Sequence, residues 1–242
     1  MKPTPLVLLH HSGGSAQVFS PLIAALPPAI TPVPLELPGR GRRWREEPLT
    51  TAEAALTDLA EQLPAAGVTG HFALFGHSMG AYLALALAAK LEREASPAQC
   101  TTLFASANAG PQCAVPLFEG NPLEADDEDI LRTGARFGGL DPQILAHPQL
   151  RQRTARTLRA DFGVCDSFVR ELRSNVTESP LVVCYGIEDS FSQHQLTMWR
   201  CSSASATELV PFPGDHFYLT EQAPALADLI TRRLTATVAQ PA

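Results

Sequence analysis

The sequence predicts an α/β protein, in which a mostly parallel, doubly wound sheet carries an inserted helical lid. Short apolar runs alternate with helical patterns along most of the chain, which is typical of a parallel sheet covered by helices. One apolar run leads directly into a Gly-x-Ser-x-Gly sequence and then a helical pattern. Residues 110–174 interrupt the alternation without a strand pattern, and this interruption is too long for an ordinary connection.

The first half of the chain contains four predicted strands. The first is apolar at every position, as expected of a strand that is buried on both faces. The second contains Pro32 and Pro34, which cannot donate ladder hydrogen bonds and therefore place it at or near a sheet edge. Thr50 and Glu53 have the spacing of a capping box that begins a helix. The predicted strands are 5–9, 31–37, 71–75 and 101–106, and further helices are predicted at 17–26 and 80–93.

The second half of the chain divides into the helical insertion and a return to strand–helix alternation. Acidic residues begin a predicted helix at 126–137, and a second insertion helix is predicted at 148–172. Strands are then predicted at 181–185 and 208–212, and helices at 193–200 and 222–234. We therefore expect a core formed by residues 1–109 and 175–242 and a lid formed by residues 110–174.

Composition and charge argue against several classes of protein. The 242 residues carry a net charge of −7, which argues against a nucleic-acid partner because phosphate binding needs a basic surface. The five cysteines form no C-x-x-C pair, so we expect reduced thiols and a cytoplasmic protein. The N-terminal apolar run, 6–9, is too short for a signal peptide, and the longest run, 81–89, is too short to span a membrane.

Ser78 lies at the centre of the Gly-x-Ser-x-Gly sequence, between Gly76 and Gly80. After an apolar strand and before a helix, the pattern predicts a nucleophile elbow, a strained turn that exposes the serine hydroxyl. Side chains at the two glycine positions would collide with the neighbouring strand or helix. The N-terminal N–H groups of the helix that follows point towards the same place and favour negative charge there. The alternative interpretation is a glycine-rich turn without a catalytic role.

A serine nucleophile needs a general base, and the base needs an acid that orients it. In this architecture the acid and then the histidine follow the serine along the chain, each at the end of a later strand. Asp189 follows the fifth predicted strand and His216 follows the sixth. We predict Asp189 as the acid and His216 as the base, and Glu188 and Asp215 remain alternative acids.

The oxyanion of an acyl-transfer reaction needs two N–H donors. The residue after the nucleophile, Met79, is expected to supply one, and the loop after the first strand the other. In that loop we favour the N–H of Ser12, while the alternative interpretation of Gly13-Gly14 is a plain turn. The histidines, cysteines and acids lack metal-ligand spacing, and the first turn lacks G-x-G-x-x-G. We therefore expect no metal and no cofactor.

Four passages carry a resemblance to a known family. They are 12–16 (Ser-Gly-Gly-Ser-Ala), 37–41 (Leu-Pro-Gly-Arg-Gly), 76–81 (Gly-His-Ser-Met-Gly-Ala) and 214–217 (Gly-Asp-His-Phe). With them the chain resembles the type II thioesterases of polyketide and nonribosomal peptide synthase pathways, a branch of the α/β-hydrolases. The Pro-Gly-Arg-Gly passage distinguishes this branch, and the insertion passage 159–162 (Arg-Ala-Asp-Phe) is similar too.

The resemblance implies the same site residues that the strand order predicts. They are Ser78 as nucleophile, Asp189 as acid, His216 as base, and Ser12 and Met79 as oxyanion donors. The chain departs from the family at Ser12, where alanine is frequent, and at Ser190, where proline is usual after the acid.

As a function, the resemblance implies a serine hydrolase that removes acyl groups from the phosphopantetheine arm of carrier domains, in an editing role. Release of a finished chain, or hydrolysis of acyl-CoA or small esters, is an alternative within the hydrolases. A carrier-binding module that no longer catalyses is an alternative from another class, against which the intact triad argues. We expect the protein to act as a monomer, with no membrane partner.

Two groups of arginines are candidates for binding a carrier domain. Carrier domains are typically acidic, so an acidic enzyme needs a local basic surface to bind one. The candidate arginines are Arg40, Arg42, Arg43 and Arg45 after the second strand, and Arg151, Arg153, Arg156 and Arg159 on the second insertion helix. Both groups of arginines could instead be solvated faces, and Arg40 could be held internally.

The predicted lid also contains apolar residues that either line an acyl-shaped site or form the core of the lid. They are Leu117, Phe118, Phe137 and Phe162.

Overall fold

A six-stranded sheet with parallel pairing throughout forms the centre of the protein. The computed structural model describes residues 3–138, 140 and 142–238, so the ends of the predicted core segments lie outside the described residues. The strands are β1 (Thr4–Leu9), β2 (Ile30–Pro34), β3 (His71–His77), β4 (Gln99–Ser106), β5 (Leu181–Gly186) and β6 (Thr207–Phe212). Their spatial order, β2-β1-β3-β4-β5-β6, reverses direction at β1. The predicted doubly wound α/β fold is therefore confirmed.

The second strand lies at an edge of the sheet, as its prolines predict. Among the described strands, β2 pairs only with β1, in a register that places Val33 opposite Val7. It ends at Pro34, earlier than predicted, because β1 ends at Leu9 and leaves little further backbone to pair with. Its prolines consequently remove few ladder hydrogen bonds from the sheet.

Helices cover both faces of the sheet. They are α1 (Ser20–Ala25), α2 (Ala52–Ala65), α3 (Met79–Arg93), α4 (Asp127–Ala135), α5 (Pro142–Ala146), α6 (Pro148–Ser167), α7 (Val169–Leu172), α8 (Gln193–Thr197) and α9 (Ala223–Val238). Alternate residues of β1 face opposite layers, as the period of a strand requires. Val7 packs in the layer that contains α2 and α3, and Leu8 packs in the layer that contains α1 and α9.

The start of α2 corrects one prediction. The N-cap is Thr51, with extended backbone angles (φ −129°, ψ 147°), and its hydroxyl accepts a hydrogen bond from the N–H of Ala54. The predicted capping box at Thr50 and Glu53 is therefore wrong: the N-cap is one residue later, and the residue at N3, Ala54, has no side chain that could bond back to the N-cap. Adjacent threonines offer the same side chain, and the backbone conformation selects the second of them.

The segment between β4 and β5 contains helices α4 to α7, and no strand among its described residues. Helices α4 and α6 pack around a small cluster that includes Ile130, Leu158 and Phe162. The single helix predicted at 148–172 is two helices, because Phe168 leaves helical geometry (φ −126°, ψ 16°) between α6 and α7. We refer to residues 107–180 as the helical insertion.

In the part of the chain that the structure describes, no helix is both long enough and apolar enough to cross a bilayer. The longest helix, α6, carries four arginines on its 20 residues. All five cysteines are free thiols, and two of them, Cys165 and Cys184, are buried.

Candidate active site

Ser78 occupies a sharp turn between β3 and α3. Its backbone angles (φ 55°, ψ −118°) lie in a region that side-chain-bearing residues rarely adopt. The Ser78 N–H donates to the carbonyl of Ser106 at 2.8 Å, and the Asn108 side-chain amide donates to the carbonyl of Ser78 at 3.0 Å. The end of β4 therefore holds the strained turn in place.

The two glycines of the turn are required by close backbone contacts. A Cβ atom on Gly76 would lie 2.0 Å from the carbonyl oxygen of Gly80. A Cβ atom on Gly80 would lie 2.1 Å from the carbonyl oxygen of Leu9, in the neighbouring strand. Any other residue at either position would push the turn away from the sheet, which agrees with the collision argued from the sequence.

The structure brings Ser78, His216 and Asp189 together. The Ser78 Oγ lies 3.0 Å from His216 Nε2, and His216 Nδ1 lies 2.9 Å from Asp189 Oδ2. An aspartate carboxylate can only accept, so Nδ1 carries the proton and Nε2 is the acceptor for the serine hydroxyl. The side chains of His216 and Asp189 are buried, which strengthens the interaction between them.

The alternative acids lie elsewhere. Glu188 is exposed, and Asp215 is also exposed, with its Oδ1 accepting a hydrogen bond from the N–H of Phe217. Asp189 Oδ1 accepts a hydrogen bond from the N–H of Ser190 at 2.7 Å, and this fixes the carboxylate that faces His216. Serine therefore provides a hydrogen bond at this position that proline could not donate.

Two backbone N–H groups near Ser78 are available to an oxyanion. Met79 is the first residue of α3, so its N–H has no intrahelical acceptor. In the loop after β1, the N–H of Gly13 donates to Asp161 and that of Gly14 donates to the carbonyl of His11. The Ser12 N–H donates to no acceptor among the described residues. Ser12 and Met79 also line the same cavity as Ser78.

A buried ion pair joins this loop to the helical insertion. The guanidinium of Arg40 makes two hydrogen bonds of 2.7 Å to the carboxylate of Asp161, and both side chains are buried. The same carboxylate accepts the N–H of Gly13 at 2.7 Å. The sequence allows an internal Arg40 but does not indicate its partner. The Arg-Ala-Asp-Phe passage contains this aspartate, but no sequence pattern links it to Arg40.

His77, the residue before the nucleophile, belongs to a second buried network. Its Nδ1 lies 2.8 Å from the hydroxyl of Ser106, which in turn lies 2.7 Å from the hydroxyl of Tyr218. Burial, and then the neighbouring His216, hold the pKa of His77 well below its usual range. His77 therefore stays neutral beside His216, where the ring centroids are 5.5 Å apart. No sequence pattern indicates this role of His77.

A cavity of about 240 Å³ lies against the Ser78 side chain. Core residues such as Tyr82 form one side of it, and helical-insertion residues form the other. Leu117, Phe137 and Phe162 line the cavity, as one of the two sequence interpretations expects, whereas Phe118 packs among the insertion helices instead. In the described ranges, no three His, Cys, Asp or Glu side chains are grouped so that they could hold a metal ion.

Comparisons with known proteins identify the family and the fold of this chain. The family model "Thioesterase domain" matches residues 4–234. The gramicidin S biosynthesis protein GrsT of Aneurinibacillus migulanus is 28% identical over 231 residues, covering 95% of this chain and 88% of GrsT. YbtT, the type II thioesterase of the yersiniabactin pathway, is 26% identical with a TM-score of 0.83, covering 98% of this chain and 94% of YbtT.

ClbQ, from the colibactin pathway, shows the same fold, with a TM-score of 0.87, 24% identity and 98% of each chain covered. The strands, the turn at Ser78 and the helical insertion thus occur in a chain whose relatives act in nonribosomal peptide and polyketide pathways. The resemblance noted in the sequence is confirmed. This chain belongs to the thioesterase family, as an α/β-hydrolase that cleaves thioesters and resembles the type II thioesterases of these pathways.

Proposed function

We propose that this enzyme hydrolyses acyl thioesters on the phosphopantetheine arm of carrier domains, through a Ser78-His216-Asp189 triad. The observation that carries the proposal is the chain of two hydrogen bonds, 3.0 Å from Ser78 to His216 and 2.9 Å from His216 to Asp189. These bonds lie beside a cavity with mainly apolar walls. That arrangement supports a nucleophile, a base and an orienting acid next to space for an acyl group.

The first half of the reaction transfers the acyl group to the enzyme. His216 Nε2 removes the Ser78 proton as Oγ attacks the thioester carbonyl carbon, and the N–H groups of Ser12 and Met79 stabilise the oxyanion. When the oxyanion collapses, the carbon–sulfur bond breaks. The imidazolium then gives its proton to the departing thiolate, so that the pantetheine leaves as a thiol and the acyl group remains on Ser78 as an ester.

The second half releases the acid. A water molecule gives its proton to His216 Nε2 and attacks the ester carbonyl, and collapse of the new oxyanion breaks the bond to Ser78 Oγ. His216 returns the proton to Oγ, and the free carboxylic acid leaves. Throughout, Asp189 keeps the proton on Nδ1 and stabilises the imidazolium form of His216.

The helical insertion is proposed to act as a lid. Residues 110–174 would then form the lid over a core of residues 1–109 and 175–242. The location of the cavity supports this division, because insertion residues such as Leu140 and Leu158 line it together with Ser78. An apolar wall on the lid favours an acyl chain over a polar one.

A carrier-bound substrate and an editing role are supported by the relatives. GrsT is a gramicidin S biosynthesis protein, and YbtT is a type II thioesterase of a nonribosomal peptide and polyketide pathway. Such pathways carry their intermediates as thioesters, and a separate thioesterase can clear wrong or stalled acyl groups. We propose that the enzyme performs this role as a monomer in the cytoplasm. Its free cysteines favour the cytoplasm, where thiols stay reduced.

A substrate panel tests the proposal. Purified enzyme is offered matched acyl groups on a carrier domain, on coenzyme A and on a small ester, and kcat/KM is compared. The editing hypothesis predicts the highest value for short acyl groups on the carrier. A preference for a full-length chain would favour chain release, and equal values on carrier and coenzyme A would favour a general acyl thioesterase. Absence of turnover on every substrate would leave the carrier-binding module.

A further inference from the structure

Most of the candidate arginines are already paired with acids. Arg43 bonds to both Glu46 and Asp58. The other pairs are Arg40 with Asp161, Arg151 with Glu128, Arg156 with Glu47 and Arg159 with Asp127. Their charge is largely neutralised locally, which leaves them little capacity to attract an acidic partner.

Two arginines from different elements converge on one exposed aromatic ring. The guanidinium carbon of Arg45 lies 4.6 Å from the ring centroid of Trp44, and that of Arg153, on α6, lies 6.0 Å from it. Among the described residues, neither arginine has a carboxylate partner within salt-bridge distance. Both are exposed, so the ring holds two cationic groups that still have donors to offer.

Exposed apolar side chains surround this pair of charges. Seven large apolar residues are exposed in the described part of the chain, and three of them line the same groove. These three are Trp44, Ile144 and Leu150, exposed to 50%, 37% and 41%. We name this surface the Trp44 groove and define it by Trp44, Arg45, Ile144, Leu150 and Arg153. Apolar side chains grouped in this way indicate a binding surface.

The Trp44 groove adjoins the active site. Gly13 lies in the wall of the groove and also in the wall of the catalytic cavity. Helix α6 contributes to both, with Thr154 and Thr157 facing the groove and Leu158 facing the cavity. A partner in the groove would therefore contact both the core and the helical insertion, close to the loop that follows β1.

We propose that the Trp44 groove binds an acidic, amphipathic helix of the acyl-carrier domain. The inference rests on the proposed carrier substrate. The apolar residues of the Trp44 groove fit the apolar face of such a helix. Arg45 and Arg153 fit carboxylates on the flanks of that face. Tryptophan and arginine are the residues that most often dominate binding energy at such surfaces. The net charge of −7 makes a local cationic site necessary for an acidic partner.

Charge-reversal variants test the inference. R45E, R153E and W44A are compared with R232E, which changes an exposed arginine of α9 by the same charge away from the groove. Each enzyme is assayed on an acyl-carrier domain and on the matching acyl N-acetylcysteamine thioester, a small neutral substrate. We expect R45E and R153E to raise KM for the carrier roughly tenfold, and added salt to reduce the difference. W44A should also raise it, but with little salt dependence.

The small thioester should be hydrolysed equally by all four variants, because none of them changes the triad. If R232E raises the carrier KM as much as R45E and R153E do, net charge explains the effect and the groove inference is wrong. The inference also fails if R45E and R153E do not change the KM for the carrier. It fails too if the only effect of W44A is to disrupt a dimer of the enzyme. If wild-type enzyme does not prefer the carrier over the small thioester, the proposed function itself fails.

Discussion

At the residue scale, Asp189 fixes the tautomer of His216 through one hydrogen bond of 2.9 Å. An asparagine in this position can donate its amide N–H to Nδ1, which moves the ring proton to Nε2, where the serine proton must be accepted. We therefore expect Asp189→Asn to lower kcat about ten-thousandfold, measured on a small thioester so that carrier binding does not contribute.

The neighbouring acid provides the control for this variant. Glu188 is exposed, and the His216 ring bonds to Asp189 and Ser78 instead. Glu188→Gln should therefore leave kcat within about twofold of wild type. If Glu188→Gln is the severe variant and Asp189→Asn the mild one, the acid has been assigned to the wrong residue of the loop.

Residues that follow strands could be located from the sequence. The Gly-x-Ser-x-Gly sequence together with the strand order predicted the three side chains that the structure brings within hydrogen-bond distance, because parallel strands end at one edge of the sheet. The Arg40–Asp161 pair could not be located in the same way, since its partners are 121 residues apart and no periodicity links them. The N-cap of α2 depended on backbone angles that adjacent threonines do not reveal.

At the scale of elements, the Arg40–Asp161 pair joins α6 to the loops that follow β1 and β2. Asp161→Asn leaves the Arg40 charge buried without its partner, which should lower the free energy of unfolding by on the order of 3 kcal/mol. It also removes the carboxylate that holds the Gly13 N–H, so the adjoining Ser12 N–H should shift. We expect kcat to fall by up to about a hundredfold, measured together with the denaturant midpoint.

A matched ion pair within the helical insertion separates these effects. Asp127 pairs with Arg159 at 2.6 Å and is partly exposed. Asp127→Asn should change the free energy of unfolding by less than about 1 kcal/mol and leave kcat unchanged. If Asp127→Asn and Asp161→Asn have equal effects on kcat, the buried pair does not position the loop that follows β1 and carries the Ser12 N–H.

The elements should also differ in their dynamics. Residues 111–136 pair with no strand and pack mainly on a small cluster, whereas β5 pairs with β4 on one side and β6 on the other. We therefore expect faster amide hydrogen exchange across residues 111–136 than across 181–185. Equal protection of the two segments would indicate a rigid roof over the cavity rather than a mobile lid.

Apolar and helical periodicity predicted most elements, because burial on both faces gives the strands continuous apolar runs. The ends were harder to predict. β2 stops where its partner strand stops, and α6 and α7 separate at Phe168, so both boundaries depend on packing that a local pattern does not contain.

At the scale of the whole molecule, two buried histidines, His10 and His77, and the half-buried His11 should make the protein sensitive to acid. Burial is the main cause that lowers the pKa values of His10, His11 and His77, for His10 to about 3. The unfolded chain takes up these protons below about pH 6.5, while the folded protein takes them up only at lower pH. The stability that neutral His10 contributes above that pH is therefore lost as the pH falls towards 3, by about 1.4 kcal/mol per pH unit, and His11 and His77 add losses in the same direction.

Denaturant titrations between pH 7 and 5 measure the free energy of unfolding and check this expectation. Most carboxylates titrate below this range and therefore contribute little to the slope. His10→Gln should flatten the pH dependence of the free energy of unfolding by about one proton. A wild-type slope in His10→Gln would contradict the buried, neutral state of His10.

The central claim is that Ser78 removes acyl groups from a carrier domain. The most direct measurement is the intact mass of an acyl-carrier domain after incubation with wild-type enzyme or with Ser78→Ala, which removes only a hydroxyl from the turn. We predict that wild type converts the carrier to its free-thiol form and that Ser78→Ala leaves it acylated. Deacylation by Ser78→Ala at the wild-type rate, or an intact acyl-carrier after incubation with wild type, would contradict the claim.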